Sequence, residues 1–178
     1  GVWHYLQATG DEELLWDGGG EVLVETARFW TSRAHYSPRR RAYVIQYVTG
    51  PDEYAVGVNN NFYTNFMAAW NLRYALEALR RMRRQPARWR AFARRLRLRD
   101  GEPARWRDVA RRMYLPRDRR LGIPEQDDAF LDREPFDMRT HDPADLPAGR
   151  WLWERLQRSQ AMKQPDVLMA MYLRDDCF

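Results

Sequence analysis

A mainly α-helical fold, an array of helices joined by polar connections, is predicted by three features of the sequence. Apolar residues recur at helical spacing through most of the chain. Glycine and proline fall where those periodic stretches stop. Only Ala42–Val48 carries the β-branched and aromatic run of a strand. Such an array is the form of an α-solenoid or an α-toroid. The 178 residues suffice for one domain with a sizeable core.

The elements follow in order. Trp3–Thr9 reads as a short helix stopped by Gly10. Asp11 caps a second short helix, which Gly18, Gly19 and Gly20 break. Glu21–Ser32 is helical, with Val22, Leu23, Thr26, Phe29 and Trp30 as its apolar stripe. After the strand, Gly50-Pro51 makes a turn and residues 52–61 form a loop. A long helix covers Tyr63–Arg84, with Met67, Trp70, Tyr74 and Leu76 or Leu79 inward. Pro86 and Pro103 suit the first turns of two further helices, ending near Leu96 and Tyr114. Residues 115–150 hold five of the ten prolines and little periodicity, the mark of a long irregular connection. A last helix is expected over Met162–Leu173, facing Val167, Leu168, Met171 and Tyr172 inward; its Pro165 requires a start near Lys163.

Composition narrows the function classes. With 44% apolar and 31% charged residues the chain is globular rather than disordered. No run approaches the roughly 18 apolar residues of a membrane span, and no basic start leads into an apolar stretch as in a signal peptide. A lone cysteine, Cys177, permits no internal disulfide, which fits a reducing compartment and a cytoplasmic location. His4, His35 and His141 show no ligand spacing, so no metal is expected. The net charge of +5 is concentrated in arginines between Arg80 and Arg120. Trp106, Val109, Ala110 and Met113 repeat at helical spacing there, and the arginines fill the gaps. They read as the outer face of amphipathic helices. Nucleic-acid binding is the remote alternative.

Chemistry concentrates in two places. In VTGPDEYAVGVNNNFYTN, Val48–Asn65, Glu53 follows a rigid Gly50-Pro51 turn, with Asp52 as a like charge and Tyr47, Tyr54, Phe62 and Tyr63 nearby in sequence. Apolar neighbours and like charge raise a carboxyl pKa toward that of a general acid. An ordinary acidic turn has the same local sequence. In RSQAMKQPDVLMAMYL, Arg158–Leu173, Lys163 and Gln164 offer hydrogen-bond donors at a helix start, suited to sugar hydroxyls or to plain solvation. Trp151 and Trp153 offer rings for sugar stacking or for packing, and Asn59, Asn60 and Asn61 offer hydroxyl binding or helix capping.

Together GPDEY, NNNFYTN and KQPDVL, in that order, resemble glycoside hydrolase family 65, the inverting phosphorylases of maltose, trehalose, kojibiose and nigerose. WHYLQATGDEELLWDGGGEVLVETARFWTSR and WLWERLQRSQAMKQPDVLMAMYL are also similar to family segments, so the resemblance covers nearly the whole chain. It implies a mainly α, partial (α/α)6 barrel with a short strand or hairpin before the catalytic loop. It implies Glu53 as general acid and Lys163 and Gln164 as contacts to the glucosyl unit. It implies a disaccharide substrate, inorganic phosphate as co-substrate and no other cofactor. One departure is visible: Pro165 stands where many members carry alanine. The chain opens on Gly1 in mid-pattern, so residues 1–178 are expected to be a piece of one barrel domain, without the family's N-terminal β-sandwich and its C-terminal phosphate-binding part. The piece alone is expected to be inactive and poorly cooperative. Hydrolysis of a trehalose-type substrate remains an alternative to phosphorolysis, as does an inactive truncated product. The resemblance allows a homodimer of the full-length protein.

Overall fold

Helices carry the structure, a computed structural model in which residues 1–137, 139, 153–174 and 177 are described. The chain divides into two units, residues 1–43 with 68–113 and residues 44–67 with 114–178.

In the first unit α1, Val2–Thr9, ends where Gly10 turns left-handed and donates its N–H to Leu6 O. Asp11 Oδ1 then accepts the Glu13 N–H at 3.0 Å. The break expected at three glycines narrows to Asp17 and Gly18. Gly18 has a φ of 110°, which a side chain would strain. Gly20 is already helical and opens α2, Gly20–Arg33. This helix buries Leu23, Val24, Ala27 and Thr31. Val22 and Phe29, placed in the stripe by the sequence reading, are instead 54% and 55% exposed. The helical period admits either of two adjacent stripes here, and the small Ala27 lets its own pack at closer range.

His35–Ser37 (β1) and Ala42–Val44 (β2) form a two-stranded sheet. Tyr43 donates its backbone N–H to Arg112 O at 2.8 Å and its hydroxyl to Asp108 Oδ2 at 2.9 Å. The later turns of α3, Phe62–Met82, bury Leu72, Ala75, Ala78, Leu79 and Met82 in this unit. The helices α4, Pro86–Arg95, and α5, Glu102–Arg111, each carry proline in the first turn. As its spacing predicts, α5 turns Trp106, Val109 and Ala110 inward. The α4 arginines lie outside and meet carboxylates, Arg88 with Glu13 at 2.7 Å and Arg95 with Glu21 at 2.5 Å, while the part-buried Arg28 of α2 meets Glu102 at 2.8 Å. Arg88 also lies over the Trp16 ring, 4.4 Å from its centroid.

In the second unit the strand expected over Ala42–Val48 does not continue past Val44. Side chains replace the ladder: Asn60 Oδ1 accepts the Ile45 N–H and Asn59 Oδ1 the Tyr47 N–H. Tyr47 takes a left-handed φ of 56°, and Val48 then pairs with Val58 as an isolated bridge. Asn61 Oδ1 accepts the Thr64 N–H at 2.9 Å and caps α3. Phe62 and Phe66 stack and pack with Ala170, joined by Tyr63, Met67 and Val167. The irregular stretch contains an antiparallel pair, β3 (Arg117–Asp118) with β4 (Ile123–Pro124), and a 3-10 turn at Phe130–Asp132.

Trp153–Arg158 forms α6 and Asp166–Leu173 forms α7. The last helix therefore starts after Pro165 rather than near Lys163. Its inward residues also differ from expectation. Asp166 and Ala170 are buried, whereas Leu168 and Tyr172 are 62% and 86% exposed. The polar Asp166 goes inward because backbone N–H and amide donors await it there. No described helix is long and apolar enough to cross a membrane. Among the described residues no group of three or more His, Cys, Asp or Glu is placed to hold a metal.

Trp106 is 1% exposed at the centre of the first unit. Trp106→Ala in the full-length protein should cost about 3–5 kcal/mol, the usual range for truncating a buried aromatic, read as a lowered midpoint in urea unfolding.

Candidate functional site

The sequence-predicted residues Glu53, Lys163 and Gln164 come together in the second unit. Lys163 Nζ lies 2.5 Å from Glu53 Oε2. Gln164 Oε1 accepts the Glu53 backbone N–H at 3.2 Å. Both partners of the ion pair are accessible, with Glu53 65% and Lys163 46% exposed at the side chain. Lys163 is held above its ordinary pKa, chiefly by its hydrogen bond to Glu53.

Two expectations about Glu53 are corrected here. Asp52 is not a like charge displayed beside it but is fully buried. The aromatic residues near it in sequence do not enclose it either: Tyr47 is 79% exposed, and Phe62 belongs to the cluster with Phe66 and Ala170. The turn here, closed by the Ala55 N–H on Asp52 O at 3.2 Å, holds Asp52 inward and Glu53 outward, and the charge facing Glu53 is a cation.

The loop under Glu53 is braced by side chains rather than by sheet. Asp52 Oδ1 accepts the N–H groups of Tyr54 at 3.1 Å and Lys163 at 3.0 Å. Asp52 Oδ2 accepts Gln126 Nε2 at 2.7 Å. In return Asp166 Oδ1 accepts the Asp52 N–H at 2.8 Å, and Asp166 Oδ2 accepts Asn61 Nδ2 at 2.5 Å. Gln126 completes the set, its Oε1 accepting the Asp166 N–H at 3.1 Å. Further along, Gln157 grips both sides of a turn, accepting the Val56 N–H and donating to Tyr54 O. Gly50 lies against this network so closely that a Cβ there would collide with Asp166 Oδ2 and the Asn61 amide.

Burial sets the electrostatics beneath the loop. The Asp166 carboxyl is pushed up to about 6 by desolvation, with nearby Asp52 and Asp127 adding to the rise against the hydrogen bonds from Asn61 and the Asp52 N–H. Asp127 is also raised by burial, although Arg133 lies at 2.9 Å. Tyr63 is raised by burial and by Asp166.

Asn59, Asn60 and Asn61, open in the sequence between hydroxyl binding and capping, are used by the fold. Asn60 alone bonds the Ile45 N–H, the Asn65 amide and Asp128. Trp151 and the side chain of Trp153 lie outside the described residues. Sequence reasoning missed the roles of Asp52, Asp166 and Gln126. A signal existed for two of them: Pro51-Asp52 and Pro165-Asp166 are the same dipeptide, each next to a proposed functional side chain. Gln126, in a stretch without periodicity, gave none.

A braced loop holding out one carboxyl beside a lysine and a glutamine, on a helical scaffold, has the form of a carbohydrate-active catalytic domain. The chain belongs to glycosyl hydrolase family 65: the profile of that family's central catalytic domain matches residues 1–178. The maltose phosphorylase of Bacillus subtilis (strain 168) is 39% identical over 178 residues, covering 99% of this chain and 23% of its own. The alpha,alpha-trehalose phosphorylase of Thermoanaerobacter brockii is 40% identical over 177 residues, covering 98% of this chain and 23% of its own. A solved structure named as a putative kojibiose phosphorylase from the human microbiome superposes with a TM-score of 0.87 at 30% identity, covering 99% of this chain and 24% of that one. The chain thus spans about a quarter of the length of the relatives it matches.

Two outcomes test the brace. Gly50→Ala should destabilise the full-length protein by about 2–3 kcal/mol, because the methyl group displaces buried hydrogen bonds; denaturant unfolding measures it. The raised Asp166 carboxyl binds its proton more tightly folded than unfolded, so its contribution to stability is complete below about pH 4 and is lost as pH rises through about 6. Asp166→Asn should remove that fall between pH 4 and 6, seen as a flatter plot of unfolding midpoint against pH.

Proposed function

We propose that this chain is the acid-bearing part of an (α/α)6 barrel whose full-length protein carries out inverting phosphorolysis of an α-linked glucose disaccharide of the maltose, trehalose, kojibiose or nigerose type. The products are β-glucose 1-phosphate and the released sugar. The carrying observation is the Glu53–Lys163 pair held out on the braced loop. The relatives support it, since those named above are disaccharide phosphorylases by name.

Glu53 protonates the glycosidic oxygen as the bond to C1 breaks. Phosphate attacks C1 from the opposite face, which inverts the anomeric centre, and being already anionic it needs no protein base. Lys163 and Gln164 hold hydroxyls of the glucosyl unit. Hydrolysis instead requires a second carboxylate at roughly 6.5–9.5 Å to activate water. Asp52, next in the chain, does not supply it, because both its oxygens are buried and bonded to donors.

Incubating the full-length protein with each disaccharide, with and without phosphate, tests the reading. Glucose 1-phosphate formed from one disaccharide only when phosphate is present supports it. Free glucose formed equally without phosphate establishes the hydrolase instead. Glu53→Gln should lower turnover by about a hundredfold or more, the scale of general-acid catalysis, while substrate binding persists in calorimetry.

A further inference from the structure

We propose that Asp52, Gln126 and Asp166 are positioning residues that aim the Glu53 carboxyl at the glycosidic oxygen without touching substrate. This rests on Glu53 being the general acid, as proposed above.

The Glu53 side chain is mostly in solvent, and its described contact is Lys163, itself nearly half exposed. Packing around the carboxyl therefore does little to place it. Its position is inherited from the backbone of the loop and from the backbone under Lys163. One oxygen, Asp52 Oδ1, fixes both, since it accepts the N–H of Tyr54, the residue after Glu53, and the N–H of Lys163. The residue before Glu53 is fixed from the other side, through the Asp52 N–H to Asp166 Oδ1. Each segment thus supplies a buried carboxylate to the other segment's backbone.

Gln126 locks the exchange because its two ends differ. Its Nε2 must face the Asp52 carboxylate and its Oε1 must face the Asp166 N–H. An amide turned end for end puts acceptor against acceptor and donor against donor, so only one arrangement satisfies all three residues. Gln126 O also accepts the Phe62 N–H at 2.9 Å and the Asn61 amide at 3.3 Å, which ties the lock to the start of α3. Asp52 and Asp166 are fully buried and Gln126 is 4% exposed, so none of them is presented to a sugar. A misplacement of a reacting group by about 1 Å costs on the order of a hundredfold in rate. A lock of this kind therefore shows in catalysis before it shows in binding.

The test compares two substrates of the full-length protein: the disaccharide it cleaves, and α-glucosyl fluoride. In the second, phosphate attacks C1, the C1–F bond breaks, and fluoride departs as an anion with little need of a proton. Glu53→Gln is the reference, expected to lose turnover on the disaccharide and to keep it on the fluoride. Asp52→Asn sets an amide against Gln126 Nε2 or against the Tyr54 and Lys163 N–H groups. It should show the same split, with kcat on the disaccharide down about 10–100-fold more than kcat on the fluoride; because Asp52 also holds the Lys163 N–H, any change in KM is shared by both substrates. Adding Gln126→Glu should restore the lock, because the introduced amide then donates to one oxygen of the introduced carboxylate while the other oxygen accepts the Asp166 N–H. That double variant is expected to recover most of the lost turnover. Equal losses on both substrates, no loss, or no recovery in the double variant overturns the proposal. Should Asp52→Asn not fold, Asp166→Asn is measured in its place, and the same split or its absence decides. If Glu53→Gln itself shows no split, the reading of Glu53 as acid fails; if it does and Asp52→Asn does not, only the lock fails.

Discussion

A buried carboxylate is tolerable only when donors surround it, and Asp52 and Asp166 meet that condition by bonding each other's chain segments. The Asp52 N–H goes to Asp166, while the Asp52 carboxylate takes the Lys163 N–H three residues before Asp166. Much else in the second unit follows. The loop needs no sheet to hold it, the Asp166 N–H that opens α7 ends on Gln126, and Gly50 must lack a side chain because the network fills the space where one would stand.

This arrangement separates two demands that one carboxyl cannot meet. A residue that holds a loop must be buried and fully bonded, whereas a residue that delivers a proton must be reachable. Asp52 opens a turn that the Ala55 N–H closes on Asp52 O at 3.2 Å, and there Asp52 takes the first task and leaves Glu53 to the second. Gln164 works at the same junction, accepting the Glu53 N–H from the start of the neighbouring segment. Lys163 is the cation that faces Glu53 at this junction.

Much of this was legible in the sequence, unevenly. Helix limits set by backbone chemistry were clear, because Gly10, Pro86 and Pro103 act through their own φ and missing groups, and the structure places stops and starts at them. Faces were less clear. The stripe of α2 lay one step from the expected one, and α7 turned Asp166 inward and Tyr172 outward, because apolar period alone does not register where hydrogen-bond donors wait. Glu53, Lys163 and Gln164 were found through their motifs and do converge. The electrostatics around Glu53 were misjudged, since the direction in which Asp52 points depends on Gln126, Lys163 and Asp166, all distant in sequence. The strand was overextended for a related reason: Ile45 and Tyr47 have strand-like side chains, but asparagine side chains take their N–H groups.

The Asp52–Asp166 exchange also leaves a mark on how amide protons trade with solvent. Loop amides ordinarily exchange fast, because nothing shields them. In this loop the N–H groups of Asp52 and Tyr54 end on buried carboxylates, while the Glu53 N–H between them ends on a half-buried glutamine. Protection should therefore alternate residue by residue, slow at 52, faster at 53 and slow at 54, with Lys163 and Asp166 slow on the facing segment. Such a pattern belongs neither to a helix nor to a free loop, and it identifies this brace in deuterated water without any substrate present.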